Sequence, residues 1–250
     1  MKKRTVDLLN VWIFDTREEM GKAAGISAEK AILEAIAKKG EARVIFAAAP
    51  SQNEILATLV ESKVIDWSKV VAFHMDEYMG LAPNATQRFS QFLQRGIFEK
   101  LPFKKIHLLS GTMEDCAAYE ALLKEAAIDL VCLGIGENGH LAFNDPPVAD
   151  FSDPVWVKPV ELDSICRTQQ VNDGCFESIE KVPTHAVTLT IPALLSAEKM
   201  VCVVPGPTKS QAVRATLEGE VSVSCPASIL RRHPQSELYL DREAYQDVVD

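Results

Sequence analysis

The stretch L-V-C-L-G-I-G-E-N-G-H-L-A-F-N-D-P-P (Leu130–Pro147) decides the fold. Its first residues are apolar without alternation, as in a strand covered on both faces. Its remainder is a glycine-rich loop that presents His140 and runs into Asn144, Pro146 and Pro147. A buried strand that ends in a polar loop belongs to a parallel α/β sheet, where ligands bind beyond the carboxyl ends of the strands.

The same alternation extends in both directions. Asn10–Phe14, Arg43–Ala48, Val70–His74, Ile106–Leu109, Ala186–Ile191, Met200–Val204 and Glu237–Leu240 read as further strands. Thr16–Lys39 reads as a helix, with Asp15 or Thr16 as N-cap, Glu18 and Glu19 in the first turn, and Gly40 past the end. Gly25 is expected to weaken its middle. Ser51–Ser62, Arg88–Lys100, Met113–Ala126 and Lys209–Leu217 read as helices. From Pro146 to about Pro183 the pattern is irregular. There is no low-complexity linker, repeat or charge block, so residues 1–250 read as a single three-layer α/β/α domain with a mostly parallel sheet.

Composition narrows the function. The chain has 250 residues, 47% hydrophobic and 24% charged. Lys and Arg total 26 against 35 Asp and Glu, a net charge of −9. Such a chain lacks the broad positive field that nucleic acid or an anionic membrane requires, but one local basic pocket can still hold a small anion. No run approaches the roughly 18 apolar residues of a spanning helix. The basic start M-K-K-R is followed by a short apolar run broken at Asp7 and Asn10, with no cleavage site. The six cysteines form no C-x-x-C pair, and Cys132 and Cys202 lie in apolar runs. The expectation is reduced thiols in a cytoplasmic protein. The sequence leaves a homo-oligomer open.

Four strand ends carry polar residues. A-A-A-P-S-Q-N-E-I-L (Ala47–Leu56) turns at Pro50 into a helix capped by Ser51 or Asn53, and free N–H groups at such a start attract phosphate. A-F-H-M-D-E-Y-M-G-L (Ala72–Leu81) places His74 and Asp76 on one side if the strand continues, with a carboxylate suited to general-base work. In the third, Gly134, Gly136 and Gly139 spell G-x-G-x-x-G. A dinucleotide fingerprint must open a helix, which the prolines that follow discourage, so no redox cofactor is expected. What remains is a loop presenting His140 among Glu137, Asn138 and Asp145. In V-V-P-G-P-T-K-S-Q-A-V (Val203–Val213), Lys209 stands in the first turn of a helix, where a cation is unfavourable unless an anion is bound nearby. No H-x-x-x-H or H-E-x-x-H spacing exists, so no metal is expected.

Together these segments resemble the glucosamine-6-phosphate deaminase (isomerase) family. F-H-M-D-E-Y-M-G-L (Phe73–Leu81) is similar to its F-N-M-D-E-Y-x-G-L motif, and G-I-G-E-N-G-H-L-A-F-N-D-P (Gly134–Pro146) to its G-x-G-x-D-G-H-I-A-F-N-E-P. P-T-H-A-V-T-L-T-I-P-A-L-L (Pro183–Leu195) and P-G-P-T-K-S-Q-A-V (Pro205–Val213) follow in order. The sister 6-phosphogluconolactonases share the fold, but their motif ends T-A-S-L-F-P, unlike A-F-N-D-P here. The resemblance implies a Rossmann-like fold and conversion of glucosamine 6-phosphate and water to fructose 6-phosphate and ammonia, without metal or redox cofactor. It implies Asp76 as the proton-transferring base and His140 as the ring-opening acid/base. Asn138 and Asp145 stand beside that histidine in the catalytic group. Ser51, Gln52, Glu77, Gly139, Arg167 and Lys209 are the implied substrate-binding residues.

Several positions depart from the family's pattern. Asn138 and Asp145 stand where Asp and Glu are usual, and the first loop lacks the T-G-G-T-P glycines. Gln170 falls where a phosphate arginine is expected, with Arg167 one turn earlier as its substitute. Arg231 replaces a common glutamine. The alternatives are a galactosamine-6-phosphate deaminase, a 6-phosphogluconolactonase, or a non-catalytic sugar-phosphate-binding regulator.

Overall fold

The chain opens with an antiparallel ribbon, β1 (Lys2–Val6) and β2 (Leu9–Phe14), turned at Asp7 in the left-handed region (φ 51°). The structure, a computed structural model, describes residues 1–249. β1 is too charged and exposed to show an apolar strand pattern, which is why only β2 was legible. Next comes α1 (Arg17–Lys39). Thr16 caps it, its Oγ1 accepting from the Glu19 N–H, and Gly40 (φ 80°) ends it. Met20, Ala24, Ala28, Ile32 and Ala35 form the stripe that α1 buries.

The remaining elements are β3 (Ala42–Phe46), α2 (Asn53–Glu61), β4 (Val70–His74), β5 (Asp76–Tyr78), α3 (Phe89–Leu93), β6 (Lys105–His107), α4 (Cys116–Lys124), β7 (Leu130–Leu133), β8 (Val157–Glu161), α5 (Ser164–Asn172), β9 (His185–Leu189), α6 (Ile191–Leu195), β10 (Lys199–Val204), α7 (Ser210–Glu218), β11 (Ser236–Asp241) and α8 (Arg242–Tyr245). Gly25 does more than loosen α1. A Cβ there would lie 2.5 Å from Thr58 Cβ, and one at Gly21 would lie 2.1 Å from Glu54 Cβ, so the two glycines let α1 and α2 cross closely.

The main sheet has eight strands in the order β1-β2-β11-β10-β7-β3-β4-β6, parallel except for the β1–β2 pair. One face packs against α1, α2 and α3 through Ile32, Leu59 and Leu93; the other packs against α4, α6 and α7 through Leu123, Leu194 and Val213. Both faces being covered explains the unbroken apolar strands, and Cys132 and Cys202 are buried in them. The chain runs outward from β3 through β4 to β6, then returns to β7, so strand order reverses between β3 and β7. That switch point, beyond the carboxyl ends, is where a ligand site is expected.

A second sheet, β5-β9-β8, is antiparallel. It corrects two expectations. β4 stops at His74, and Asp76 starts β5 in the other sheet, paired with Thr188. The irregular stretch after Pro146 contains β8 and α5. Pro159 and alternating exposure hide β8 at the sheet edge, and α5, capped by Asp163, is largely polar. Among the described residues, no helix is long and apolar enough to cross a membrane.

Candidate active site

A cavity of about 240 Å³ lies beyond the ends of β3, β7 and β10, against β5. Ser51, Asp76, His140 and Lys209 line it, together with Arg17 and Gln170. Four loops separated in sequence are thus brought together because parallel strands end side by side.

The loop after β3 enters α2 through a 3₁₀ turn at Pro50–Gln52, so neither Ser51 nor Asn53 caps a helix with its side chain. Ser51 lines the cavity. Gln52 does not: it is fully buried, its Nε2 donates to Leu133 O (3.1 Å), and its N–H is bonded to Ala49 O (2.9 Å). It ties the loop to β7 rather than facing a ligand. Across the cavity, Gly206 (φ 87°) and a 3₁₀ turn at Pro207–Lys209 precede α7. Lys209 is buried, and its Nζ has no hydrogen-bond partner, the nearest carboxylate being Glu137 Oε1 at 3.9 Å. Burial lowers its pKa, against the pull of Asp173 and Glu137. A buried ammonium that faces a cavity without a hydrogen bond is costly unless an anion enters.

β5 separates its two carboxylates because successive side chains point to opposite faces. Asp76 turns to the cavity. Burial, then the neighbouring Glu77 charge, raises its pKa well above the usual carboxylate value. Glu77 turns away and is saturated. It accepts from the N–H groups of Tyr78, Phe89 and Ser90, from Ser90 Oγ (2.6 Å) and from Arg88 Nε (3.2 Å). It is absent from the cavity wall and organises the turn behind Asp76, which corrects its placement among substrate-binding residues.

The glycine loop after β7 is shaped around His140. A Cβ on Gly136 would lie 2.1 Å from His140 Cε1, so glycine there makes room for the imidazole. Gly139 (φ 83°) supplies a turn, and its missing Cβ leaves space for Cys225 Sγ; it does not reach the cavity wall. No helix follows; the chain turns at Ala142 (φ 50°), held by Asn144 Nδ2 bonds to Leu141 O and Leu189 O (both 2.8 Å). His140 Nδ1 lies 2.9 Å from Asp145 Oδ1 and 2.8 Å from Asn138 Oδ1. Both are acceptors, so Nδ1 carries the proton and Nε2 is left for the cavity. Asn138 Nδ2 donates to Asp145 Oδ1 (2.9 Å) and Asp163 Oδ2 (3.1 Å), bridging two carboxylates that would otherwise repel. Asp145 reaches His140 despite its short side chain. Burial works to raise its pKa, but the hydrogen bond and charge of His140 hold it below the ordinary value.

Cys166 lies near this pair; ligand atoms of His140, Asp145 and Cys166 fall within 4.8 Å of one another. Burial, then the Asp145 charge, keeps its thiol pKa well above the ordinary value. The cluster reads as hydrogen-bonded support for the imidazole.

The structure moves Arg167 away from its expected place. Its Nη2 donates to Ile179 O (2.7 Å) and Val182 O (3.0 Å), and it is absent from the cavity wall. Gln170 is on the wall instead. Its Oε1 accepts from Tyr78 Oη (2.6 Å). Gln169 also lines the cavity and braces Glu137 N through Oε1 (2.8 Å). Arg231 lies elsewhere, bonded to Asp7 Oδ2 (2.8 Å) and Gly219 O (2.5 Å). Arg17, Gln169 and Asp173 were not singled out in the sequence. For Arg17 a signal existed: a cation in the first turn of α1 breaks the same dipole rule that marked Lys209.

Comparison with known proteins gives the chain its family. The sequence profile of the family described as "Glucosamine-6-phosphate isomerases/6-phosphogluconolactonase" matches residues 15–240. A glucosamine-6-phosphate deaminase of Listeria monocytogenes (serotype 4a, strain HCC23) is 38% identical over 228 residues, covering 89% of this chain and 95% of that protein. Another, of Bacillus cereus (strain B4264), is 35% identical over 240 residues, covering 94% and 88%. The solved structure of a monomeric glucosamine-6-phosphate deaminase superposes with a TM-score of 0.86 at 27% identity, covering 94% of this chain and 98% of that one. A 6-phosphogluconolactonase from Shewanella baltica OS155 superposes at 0.74 with 16% identity over 95% and 97%, a likeness of fold alone. The chain belongs to the glucosamine-6-phosphate isomerase/6-phosphogluconolactonase family.

Proposed function

We propose that this protein is a cytoplasmic enzyme of amino-sugar-phosphate metabolism, a single domain that converts glucosamine 6-phosphate and water to fructose 6-phosphate and ammonia. The observation that carries this reading is one shared cavity: it holds Asp76, His140 backed by Asp145, and the buried ammonium of Lys209, which lacks a hydrogen bond. The first two are a base and a proton carrier; the third is an anion anchor.

The chemistry follows from these positions. Ser51 and Lys209 hold the phosphate, whose binding energy fixes the sugar remote from the reacting carbons. His140 Nε2 takes the proton of the C1 hydroxyl and delivers it to the ring oxygen as the ring opens, while Nδ1–H stays on Asp145 and Asn138. Asp76 takes the proton from C2 and returns it to C1, while O1 gains a proton and the amino nitrogen gives one up, forming the 2-imino ketose phosphate. Water adds to C2, ammonia leaves, and the ketone remains. A carboxylate whose pKa is raised is a stronger base than an ordinary aspartate once ionised. Glu77, Asn138 and Asp145 act as positioning residues; Gln170 offers its amide to the sugar.

The test is incubation with glucosamine 6-phosphate while fructose 6-phosphate and ammonia are measured together. Equal release, lost in Asp76→Asn, is expected. No release from folded protein, or full activity in Asp76→Asn, sinks the assignment. The pH profile has a definite sign. Asp76 must be ionised to act, and its folded pKa lies above 3.8. Activity therefore falls on acidification at a higher pH than an ordinary aspartate would give. The same raised pKa makes ionisation costly to folding. The stability gain of Asp76→Asn over wild type should grow as pH rises through that pKa, in thermal melts across pH.

A further inference from the structure

We propose that Arg17, in the first turn of α1, is the second cation of the phosphate site, taking by a different route the place that Gln170 leaves empty of charge. This deepens the sugar-phosphate reading and rests on it. Among the residues on the cavity wall, the cations are Lys209 and Arg17. Gln170 is neutral, and Arg167 is held by the backbone carbonyls of Ile179 and Val182. A phosphate dianion facing Lys209 alone would keep half its charge unmatched. Arg17 is the remaining candidate, and its geometry is constrained.

Its Nε donates to Glu54 Oε1 (2.8 Å), an ion pair at a partly exposed site that offsets part of its charge, and its Nη2 donates to Pro50 O, in the loop that carries Ser51. These two bonds fix the plane of the guanidinium across that loop. Nη1 makes no bond to the protein, so its N–H groups stay available to an oxyanion. The side chain is 41% exposed, which suits a group at the cavity mouth that a ligand can reach. The sequence builds this placement. Gly21, one turn after Arg17, allows α1 to approach α2 at Glu54, and so brings an α1 residue over the β3 loop. A cation at a helix N-terminus opposes the dipole, and a bound anion removes that conflict. Arg17 and Lys209 share this position, one at the start of α1 and one at the start of α7, on either side of the cavity.

The test compares wild type with Arg17→Gln and Arg17→Lys, with folding checked by circular dichroism and thermal melts. Two quantities are read: KM and kcat for glucosamine 6-phosphate, and the Kd of inorganic phosphate by calorimetry. For Arg17→Gln, KM and phosphate Kd should each rise about tenfold while kcat changes far less, the pattern of lost ground-state binding. Arg17→Lys should fall between, since an ammonium keeps the charge but not the fork. If Arg17 only staples α1 to α2, Arg17→Gln lowers the melting temperature and leaves phosphate Kd and KM unchanged, which overturns the inference. If Arg17→Gln does not fold, Arg17→Lys decides: an unchanged phosphate Kd overturns it. Wild type that binds phosphate in an Arg17-dependent way but releases no ammonia would sink the substrate reading and keep Arg17 as an anion ligand. Wild type that neither binds phosphate nor turns over overturns both.

Discussion

Two histidine–carboxylate pairs lie at or beyond the ends of β4 and β7, which β3 separates, His74 with Glu77 and His140 with Asp145, and they have opposite fates. His74 is fully buried. Its Nδ1 accepts from the Leu109 N–H (3.4 Å), so the proton sits on Nε2, which points towards Glu77 Oε2 at 4.0 Å and finds no partner. That carboxylate is already taken by Arg88, Ser90 and three backbone N–H groups. Burial pushes the His74 pKa down to about 4, with Glu77 opposing, so the pair is a neutral imidazole beside an occupied acid and not an ion pair near neutral pH. His140 is held at 2.9 Å by a carboxylate with which it can share charge, and its other nitrogen meets a cavity. The lesson is that a carboxylate supports a histidine only when it has hydrogen-bonding capacity to spare. Proximity in sequence does not decide this.

Substitutions can break the comparison. The largest effect belongs to the open pair: His140→Ala should lower kcat by about 10³-fold, the usual size of a lost general acid. The corresponding change at His74 should leave kcat within a few-fold. Equal losses at the two histidines, in steady-state ammonia release, would erase the distinction. Asp145→Asn comes next. It keeps the shape beside Nδ1 but removes the charge that stabilises the imidazolium, so kcat should fall about 10²-fold or more. An unchanged kcat would mean that Asn138 alone orients His140.

Glu77→Gln acts on the sealed pair and on folding. It leaves the buried Arg88 guanidinium without its counter-charge, which should cost about 3 kcal/mol in urea unfolding. A loss below about 0.5 kcal/mol would show that the Glu77 network is not structural. The smallest effect sharpens the titration. The folded His74 pKa is depressed from 6.5 to about 4, so between those values the unfolded chain binds more protons. Wild-type stability should therefore decline as pH falls from 6.5 to about 4. His74→Asn should show a shallower decline in melts across that window, and parallel curves would assign the loss to other groups.

Much of this was readable from residue types alone. The unbroken apolar runs at β3, β7 and β10 required a sheet covered on both faces, and the caps at Thr16 and Gly40 bounded α1. Asp76, His140, Ser51 and Lys209 were marked by standing at strand ends, and all four meet in the cavity. β8 and α5 were hidden because a proline-containing edge strand and a polar helix carry little hydrophobic periodicity. Arg167 misled because helical spacing shows which residues share a face, but not which backbone carbonyls that face will meet.

The sequence by itself determined the layers, the strand ends and the family motifs, because hydrophobic periodicity and turn chemistry are local properties. Only the tertiary structure decided that Asp76 faces the cavity while Glu77 is sealed behind it. It also decided that Asn138 bridges two acids and that Arg17 reaches the β3 loop. Each of these depends on which groups compete for the same hydrogen bonds and charges in space, and that competition is set by residues far apart in the chain.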